Sequence, residues 1–419
     1  MTSAQKSHES SRADTPAGRS SRAEAPTGRG SQAERLPSLT GLRFFAALLV
    51  YVCHALSQFS PQADAASRDL AYFLLPAGPV GVSFFFVLSG FVLTYAARPG
   101  DTVRQFWRRR AVKIYPSHVV TWSAGLVLAL VTGTVVTVST TAAALLLVQA
   151  WVPSMTLTAT VNPISWTLAC ELFFYLMFPF LYGALRRLPR RGLWPAAGVL
   201  AALVMAVPHL VRLLPGEPLP LAGYSLTQFW LVYTAPPVRL LEFALGIVLA
   251  LLVRRGMWAF VSSRLAVVLC CAGYAVAGVT TAVTKAPHLW AMGSATVVPL
   301  AVLIATAATR DRENLPSLAR RPLVVRLGEL SFAFYLVHHM ILTACFAALP
   351  AGFRPGLLPL TGLAVALFIV CAAAAQLLHT TVELPAMRRW SRSASTPRRD
   401  RAPRRTPGRS GPPTGERTP

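Results

Sequence analysis

The sequence predicts an all-α integral membrane protein, a bundle of about ten transmembrane helices with one short re-entrant or interfacial segment. Of its 419 residues, 54% are hydrophobic and only 13% are charged, whereas a soluble protein of average composition carries about 25% charged residues. The charge that remains is confined to the two ends of the chain and to short stretches between long apolar runs. This distribution is typical of a membrane-embedded chain with basic extramembrane parts.

The net charge of +24 does not point to nucleic acid. No nucleic-acid recognition motif is visible, and the arginines lie where the positive-inside rule places them. The expected partners of these arginines are therefore anionic membrane lipids. The six cysteines all fall in apolar segments, and no Cys or His spacing matches a metal site, so we expect no metal.

The two ends of the chain differ from its middle. Residues 1–37 are polar and contain no aromatic residue, and residues 389–419 are rich in arginine and proline. Such segments bury too little apolar surface to offset the entropy lost on ordering. We therefore predict a disordered basic tail at each end and one membrane domain over residues 38–388.

A helix needs about 20 residues to cross a bilayer, and most apolar runs of the middle region approach that length. They lie at 39–58, 76–97, 117–137, 139–152, 165–185, 194–214, 228–253, 262–284, 288–309, 327–349 and 356–381. The fourth run is too short for a comfortable crossing. Basic clusters follow the second, fifth, seventh, ninth and last runs. All of them lie on the cytoplasmic side if ten runs cross, the fourth does not, and both termini are cytoplasmic.

Ionisable residues interrupt several of these runs, among them the first and the fifth. The first run, LTGLRFFAALLVYVCHAL (39–56), contains Arg43 and His54, which project from one helix face about 16 Å apart along the axis. Glu171 lies early in an inward-running helix, so we expect it in the outer half of the membrane, as His54 is. Ionisable groups at such depth are costly and usually face a cavity or a partner.

Four stretches in this order resemble the bacterial acyltransferase-3 family of integral membrane acyltransferases. They are LTGLRFFAALLVYVCHAL with its R-x10-H spacing, GVSFFFVLSGFVLTY (81–95), WTLACELFFYLMFP (166–179) and LGELSFAFYLVHHMIL (327–342), and a closing VELPAMRR also fits. The resemblance covers residues 38 to about 388. It implies transfer of an acyl group, usually acetyl from acetyl-CoA, to a hydroxyl of a sugar-containing acceptor, in a multi-pass protein of the bacterial cell membrane.

The resemblance implies roles for the embedded residues. His54 is the expected general base, because imidazole titrates near neutral pH and an alcohol needs a base to attack a thioester. We predict that Glu171 orients the His54 ring. Arg43 has two interpretations, a cation lining the cavity or a snorkelling interfacial anchor, and the shared face with His54 favours the first.

The segment FWRRRAVKIYP (106–116) resembles the family's R-x-x-R element, taken here as a loop that holds the donor's phosphates. The matching residues are Arg110 and Lys113, so a lysine replaces the second arginine. Lysine binds phosphate as a point charge without arginine's bidentate fork. These cations also have a plainer interpretation, as residues that set the membrane topology through the positive-inside rule.

Four further residues are candidates for substrate contact. His338 occupies the family's YLxH position, and Arg239 is spaced i,i+3 from Glu242, a pattern that also fits a buried ion pair. Trp166 and Tyr175 are packing residues or acceptor contacts. The acceptor is expected to be a carbohydrate or a glycosylated natural product such as a macrolide. The alternative to an enzyme is a multi-pass transporter or exporter without covalent chemistry.

Overall fold

The computed structural model describes residues 36–59, 64–97, 100–219, 223–258, 261–350, 352–353 and 356–390. The predicted disordered tails lie outside these residues except at their inner edges. There Pro37 begins the first helix and Trp390 ends the last one.

The described residues fold into α-helices joined by short 3₁₀ and π turns, with no β-strand among them. The helices are α1 (Pro37–Phe59), α2 (Ala65–Leu74), α3 (Ala77–Tyr95), α4 (Val103–Val131), α5 (Val138–Leu145), α6 (Met155–Ala159), α7 (Trp166–Leu185), α8 (Arg190–Leu210), α9 (Leu226–Phe229), α10 (Pro236–Arg254), α11 (Ser263–Thr284), α12 (Val297–Arg312), α13 (Pro322–Ala348), α14 (Leu357–Leu378) and α15 (Leu384–Trp390).

Nine helical segments of the described chain are long and apolar enough to cross a membrane. They are Pro37–Phe59, Ala65–Tyr95, Val103–Val131, Pro163–Leu185, Arg190–Leu213, Leu226–Arg254, Ser263–Thr284, Pro322–Ala348 and Leu357–Trp390. The predicted run 288–309 corresponds to α12, which has 16 residues and is shorter than the other nine. The fold class, an all-α multi-pass membrane bundle, is confirmed.

Helices α1, α3, α10 and α13 pack closely around the middle of the bundle. A Cβ atom added at Gly246 of α10 would lie 1.9 Å from the carbonyl oxygen of Val87 on α3. A Cβ atom added at Gly328 of α13 would lie 1.8 Å from the carbonyl oxygen of Thr40 on α1. Glycine lets these backbones approach closely, as small residues do in membrane helix packing.

The described basic clusters meet at one end of the bundle, which we call the basic end. Arg254 donates to the carbonyl oxygen of Thr94 at 3.0 Å, and Arg312 donates to that of Val253 at 2.6 Å. The backbone N–H of Ser38, at the start of α1, donates to Asp311 at 2.8 Å. The first turn of α1 therefore lies beside the last turns of α3, α10 and α12.

The segment 106–116 is helical, so its interpretation as a loop was wrong. The hydroxyl of Thr102 accepts from the backbone N–H of Gln105, whose side chain accepts from the backbone N–H of Thr102, and this capping box starts α4. The helix then continues past Pro116 to Val131. Arg110 and Lys113 are consequently spaced i,i+3 on one helix face.

The segment between α4 and α7 enters the bundle without a full crossing. Helix α5 has only eight residues, too few to span a bilayer. The side chain of Asn162 donates to the carbonyl oxygen of Leu336 at 3.3 Å, and Gln149 donates to Ser165 at 3.0 Å. Because Asn162 and Ser165, at the end of this segment, are buried, α7 begins inside the bundle, with Trp166 packed edge-on against Phe86 at 6.2 Å.

Candidate active site

A cavity of ≈ 160 Å³ lies between α1, α3, α4, α7 and α13. Five of the residues singled out from the sequence line it, namely Arg43, Arg110, Lys113, Glu171 and Tyr175. The rest of the wall is largely apolar and aromatic. The fold thus brings three cations and one carboxylate from three helices, α1, α4 and α7, to a single pocket.

Two of the three cations have unused hydrogen-bond donors. Arg43 makes no hydrogen bond or ion pair with any residue that the structure describes. The guanidinium of Arg110 lies 5.5 Å from the ring centre of Phe106 and 5.8 Å from that of Tyr175, and its buried Nε has no partner among the described residues. Guanidinium groups of this kind are suited to bind phosphate or carboxylate through paired N–H donors.

The third cation is already paired. The Lys113 ammonium contacts Oε1 of Glu383, and Oε2 of Glu383 lies 2.9 Å from Nδ1 of His379. A π turn over His379–Glu383 brings the Glu383 side chain to Lys113 on α4. Buried carboxylates need such partners, and here Glu383 anchors Lys113 from behind the cavity wall.

Glu171 does not lie where the sequence predicted. Its Oε1 accepts from Tyr175 Oη at 2.8 Å and from Ser89 Oγ at 3.5 Å. On α3, Gly78 packs against Cys53, whereas Ser89 lies eleven residues further along, or about 16 Å along the helix axis. Glu171 therefore lies towards the basic end, level with Arg43, because α7 begins inside the bundle. The predicted contact between Glu171 and His54 is not formed.

The partner of His54 is His338. Nδ1 of His54 lies 2.9 Å from Nε2 of His338, and the two rings stack with centres 5.2 Å apart. Nδ1 of His338 lies 2.8 Å from the carbonyl oxygen of Tyr335 and 3.2 Å from that of Phe334. Because a carbonyl oxygen only accepts, His338 carries its proton on Nδ1 and presents a lone pair at Nε2.

This chain of hydrogen bonds fixes the tautomer of His54. Its Nδ1 must donate to the Nε2 lone pair of His338, so the lone pair of neutral His54 is at its own Nε2. The geometry therefore gives His54 the electronic form that a general base requires. The side chain that holds the His54 ring by a hydrogen bond is thus His338 and not Glu171.

The neighbours of His54 on the helix and in space complete this cluster. Cys53 donates its S–H to the carbonyl oxygen of Leu75 at 3.2 Å and so points away from the His54 ring. The ring of His339 meets that of His54 edge-on at 5.1 Å. No group of three or more His, Cys, Asp or Glu residues in the described ranges is arranged to hold a metal ion.

Arg239 and Trp166 lie behind the cavity wall and do not line the cavity. Arg239 forms the predicted buried ion pair with Glu242 at 3.0 Å, donates to Ser83 at 3.1 Å and lies 5.0 Å from the ring centre of Phe86. Trp166 packs against the same phenylalanine. Since Phe86 lines the cavity, both residues support its wall.

Sequence reasoning missed Tyr335 and His379. Tyr335 lines the cavity and precedes His338 by three residues, so it shares a helix face with a residue already singled out. His379 precedes Glu383 by four residues on one helix face. The available signal was helical spacing, from His338 for Tyr335 and from the glutamate of the VELPAMRR stretch for His379.

The comparisons with known proteins agree with this architecture. A family model described as an acyltransferase domain, of the acyltransferase-3 family, matches residues 36–378. The Acyltransferase MdmB of Streptomyces mycarofaciens is 42% identical over 390 residues, which cover 89% of this chain and 98% of that protein. Nodulation protein 10 of Rhizobium leguminosarum bv. viciae is 26% identical over 334 residues, which cover 73% of this chain and 83% of that protein.

No solved structure matches the chain. The match to the family model extends from α1 to the end of α14 and so includes the cavity and the histidine pair. The chain therefore belongs to the acyltransferase-3 family, and it is a multi-pass membrane enzyme that transfers acyl groups.

Proposed function

We propose that this enzyme transfers an acyl group, in the first instance acetyl, from acyl-CoA to a hydroxyl of a carbohydrate or a glycosylated natural product. The observation that carries the proposal is the hydrogen-bond chain from His54 through His338 to the carbonyl oxygen of Tyr335. That chain leaves Nε2 of His54 as a lone pair able to take a proton from an alcohol.

The transfer follows from this arrangement in one addition and one elimination. Nε2 of His54 takes the proton of the acceptor hydroxyl while the oxygen attacks the thioester carbonyl carbon. The tetrahedral intermediate then collapses, the carbon–sulfur bond breaks and the CoA thiolate leaves. The imidazolium returns its proton to the sulfur, so the base is regenerated and the ester and free CoA are the products.

The donor fits the chemistry of the cavity wall. CoA carries a pyrophosphate and a ribose phosphate, and Arg43 and Arg110 offer guanidinium donors that no described residue uses. Lys113 adds a point charge anchored by Glu383. Glu171 partly balances these charges and holds Tyr175 beneath Arg110. The pantetheine arm would extend from these cations towards His54, about 16 Å further along α1.

The positive-inside rule supports an orientation with the basic end in the cytoplasm. The first turn of α1 lies at that end, and α15 carries Arg388 and Arg389 in its last turn. Both termini would then be cytoplasmic, and the cation-lined cavity would face the compartment that supplies acyl-CoA. His54 would lie in the outer half of the membrane.

The proposal is tested by acyl-CoA turnover in detergent-purified protein, with a panel of free sugars and glycosylated macrolides as acceptors. We expect release of free CoA with formation of an acylated acceptor, and loss of both in His54→Ala. Cys53→Ala, a change at the adjacent residue whose thiol points away from the site, should stay active. A wild-type protein that binds no acyl-CoA and only moves these compounds across vesicle membranes would establish a transporter instead.

A further inference from the structure

The cation-lined cavity and the His54–His338 pair are separate in the structure. Neither histidine lines the cavity. Along α13, Ser331, Phe332 and Tyr335 line the cavity, and His338 follows one turn later. Tyr335 lines the cavity, and its ring also contacts that of His338, with ring centres 5.6 Å apart. It therefore joins the cavity to the histidine pair.

The hydroxyl of Tyr335 is weakly engaged. Its Oη lies 3.2 Å from Oγ1 of Thr167, and no other described group bonds to it. Oγ1 of Thr167 also lies 2.9 Å from the carbonyl oxygen of Ile164. A threonine hydroxyl has one proton, and the carbonyl oxygen can only accept it. Oγ1 of Thr167 is the donor in both contacts, so its one proton is shared between the carbonyl oxygen of Ile164 and Oη of Tyr335. No described group accepts the proton of the Tyr335 hydroxyl.

Acyl transfer is accelerated by a hydrogen-bond donor beside the thioester carbonyl. Attack on a thioester places negative charge on the former carbonyl oxygen, and hydrogen-bond donors held in a dry site stabilise that charge. Tyr335 is 8% exposed and is held by an edge-on contact with Phe85 at 6.2 Å. Its phenol is thus fixed between the cavity and the base.

We propose that the Tyr335 hydroxyl is a catalytic residue that donates a hydrogen bond to the oxyanion of the tetrahedral intermediate. This inference rests on the proposed function, because it needs a thioester whose carbonyl lies between the cavity and His54. As the acceptor oxygen bonds to the carbonyl carbon, the carbonyl π electrons move onto oxygen, and Tyr335 donates its O–H, which no described group accepts, to that oxygen. No proton leaves Tyr335, and the bond is released when the thiolate departs.

The test is steady-state turnover and acyl-CoA binding by Tyr335→Phe, which keeps the ring and its packing. We expect kcat to fall by about 10²- to 10³-fold while the Kd for acyl-CoA and the melting temperature stay as in wild type. Tyr51→Phe is the matched control. The Tyr51 ring also lies near His338, at 6.3 Å, but its hydroxyl donates to the carbonyl oxygen of Ala364, so kcat should be close to wild type.

The outcomes separate this inference from the proposed function. If wild type turns over acyl-CoA and His54→Ala does not, the proposed function stands. A kcat for Tyr335→Phe within about threefold of wild type, or a raised Kd with unchanged kcat, then overturns the oxyanion role alone. If Tyr335→Phe does not fold, 3-fluorotyrosine at position 335 retains ring and hydroxyl. Its more acidic phenol should change kcat without changing Kd, and an unchanged kcat overturns the role.

Discussion

Nδ1 of His54 lies 2.9 Å from Nε2 of His338, and Nδ1 of His338 lies 2.8 Å from the carbonyl oxygen of Tyr335. A backbone carbonyl at the end of the chain fixes the proton positions of both imidazoles. In hydrolytic triads a carboxylate orients the catalytic histidine and stabilises its charged form. Here a neutral imidazole orients it, and the ionised state of His54 receives no counter-charge from its partner.

The first prediction concerns His338 as a positioning residue. In His338→Leu the acceptor for Nδ1 of His54 is lost, so both tautomers of His54 become accessible and the ring is less constrained. We expect kcat to fall by about 10²-fold, at the lower end of the range for loss of a general base, with an unchanged KM for acyl-CoA. His338→Gln, whose amide oxygen can accept from Nδ1, should recover part of the loss. Equal kcat values for His338→Leu and His338→Gln would show that the hydrogen bond from His54 to residue 338 does not contribute to turnover.

The second prediction concerns recognition of the donor by Arg43. In Arg43→Gln a charged donor of the cavity is lost, and hydrogen bonds to charged groups contribute about 1.5–3 kcal/mol. We expect KM for acyl-CoA to rise about 10- to 100-fold, with a small effect on kcat. Acyl-pantetheine, which lacks the phosphates, is the control donor, and its KM should be the same in both proteins. A parallel rise with both donors would assign Arg43 to the structure of the cavity.

The helices were predictable because apolar runs of bilayer length are a strong signal. The first run, 39–58, corresponds to α1 (Pro37–Phe59). The signal weakens where apolar and basic residues mix. The sequence analysis therefore missed the capping box at Thr102 and Gln105, which starts α4 ahead of the third run. The hydropathy signal was also weak for the run 288–309, because α12, the helix that corresponds to it, has only 16 residues.

Several residues singled out from the sequence share one cavity, but their contacts could not be predicted. Arg43, Arg110, Lys113 and Glu171 come together in one cavity, as expected for costly groups that share a polar interior. The position of Glu171 along the axis of the bundle could not be predicted from the sequence. Burial of the segment around Asn162 starts α7 within the bundle, and a hydropathy pattern does not record where along the bundle a helix begins.

The third prediction concerns the buried ion pair of Lys113 and Glu383. Removing one partner of such a pair leaves a buried charge, which costs about 3–5 kcal/mol, whereas an apolar replacement of both partners is often tolerated. Because Lys113 is partly exposed, we expect Glu383→Leu to lower stability by less than that range. The double variant Lys113→Met with Glu383→Leu should be more stable than Glu383→Leu alone. Thermal unfolding of the two single variants and the double variant in detergent measures the coupling between Lys113 and Glu383. If the effects of the two single substitutions on stability simply add in the double variant, the prediction is wrong.

The fourth prediction concerns the close approach of α3 and α10. In Gly246→Ala the new Cβ would lie 1.9 Å from the carbonyl oxygen of Val87, so the two helices must move apart. Overpacking of this kind costs about 1–3 kcal/mol, and we expect a lower melting temperature. The matched control is Gly183→Ala in α7, where a Cβ atom meets nothing within 4 Å.

Alanine favours a helix over glycine by about 0.5–1 kcal/mol, so Gly183→Ala should melt at the wild-type temperature or slightly above it. Because α3 carries both Ser83, which accepts from Arg239, and Phe86 of the cavity wall, Gly246→Ala should also weaken acyl-CoA binding. A melting temperature for Gly246→Ala equal to that of Gly183→Ala would show that α3 and α10 are not in close contact at this position.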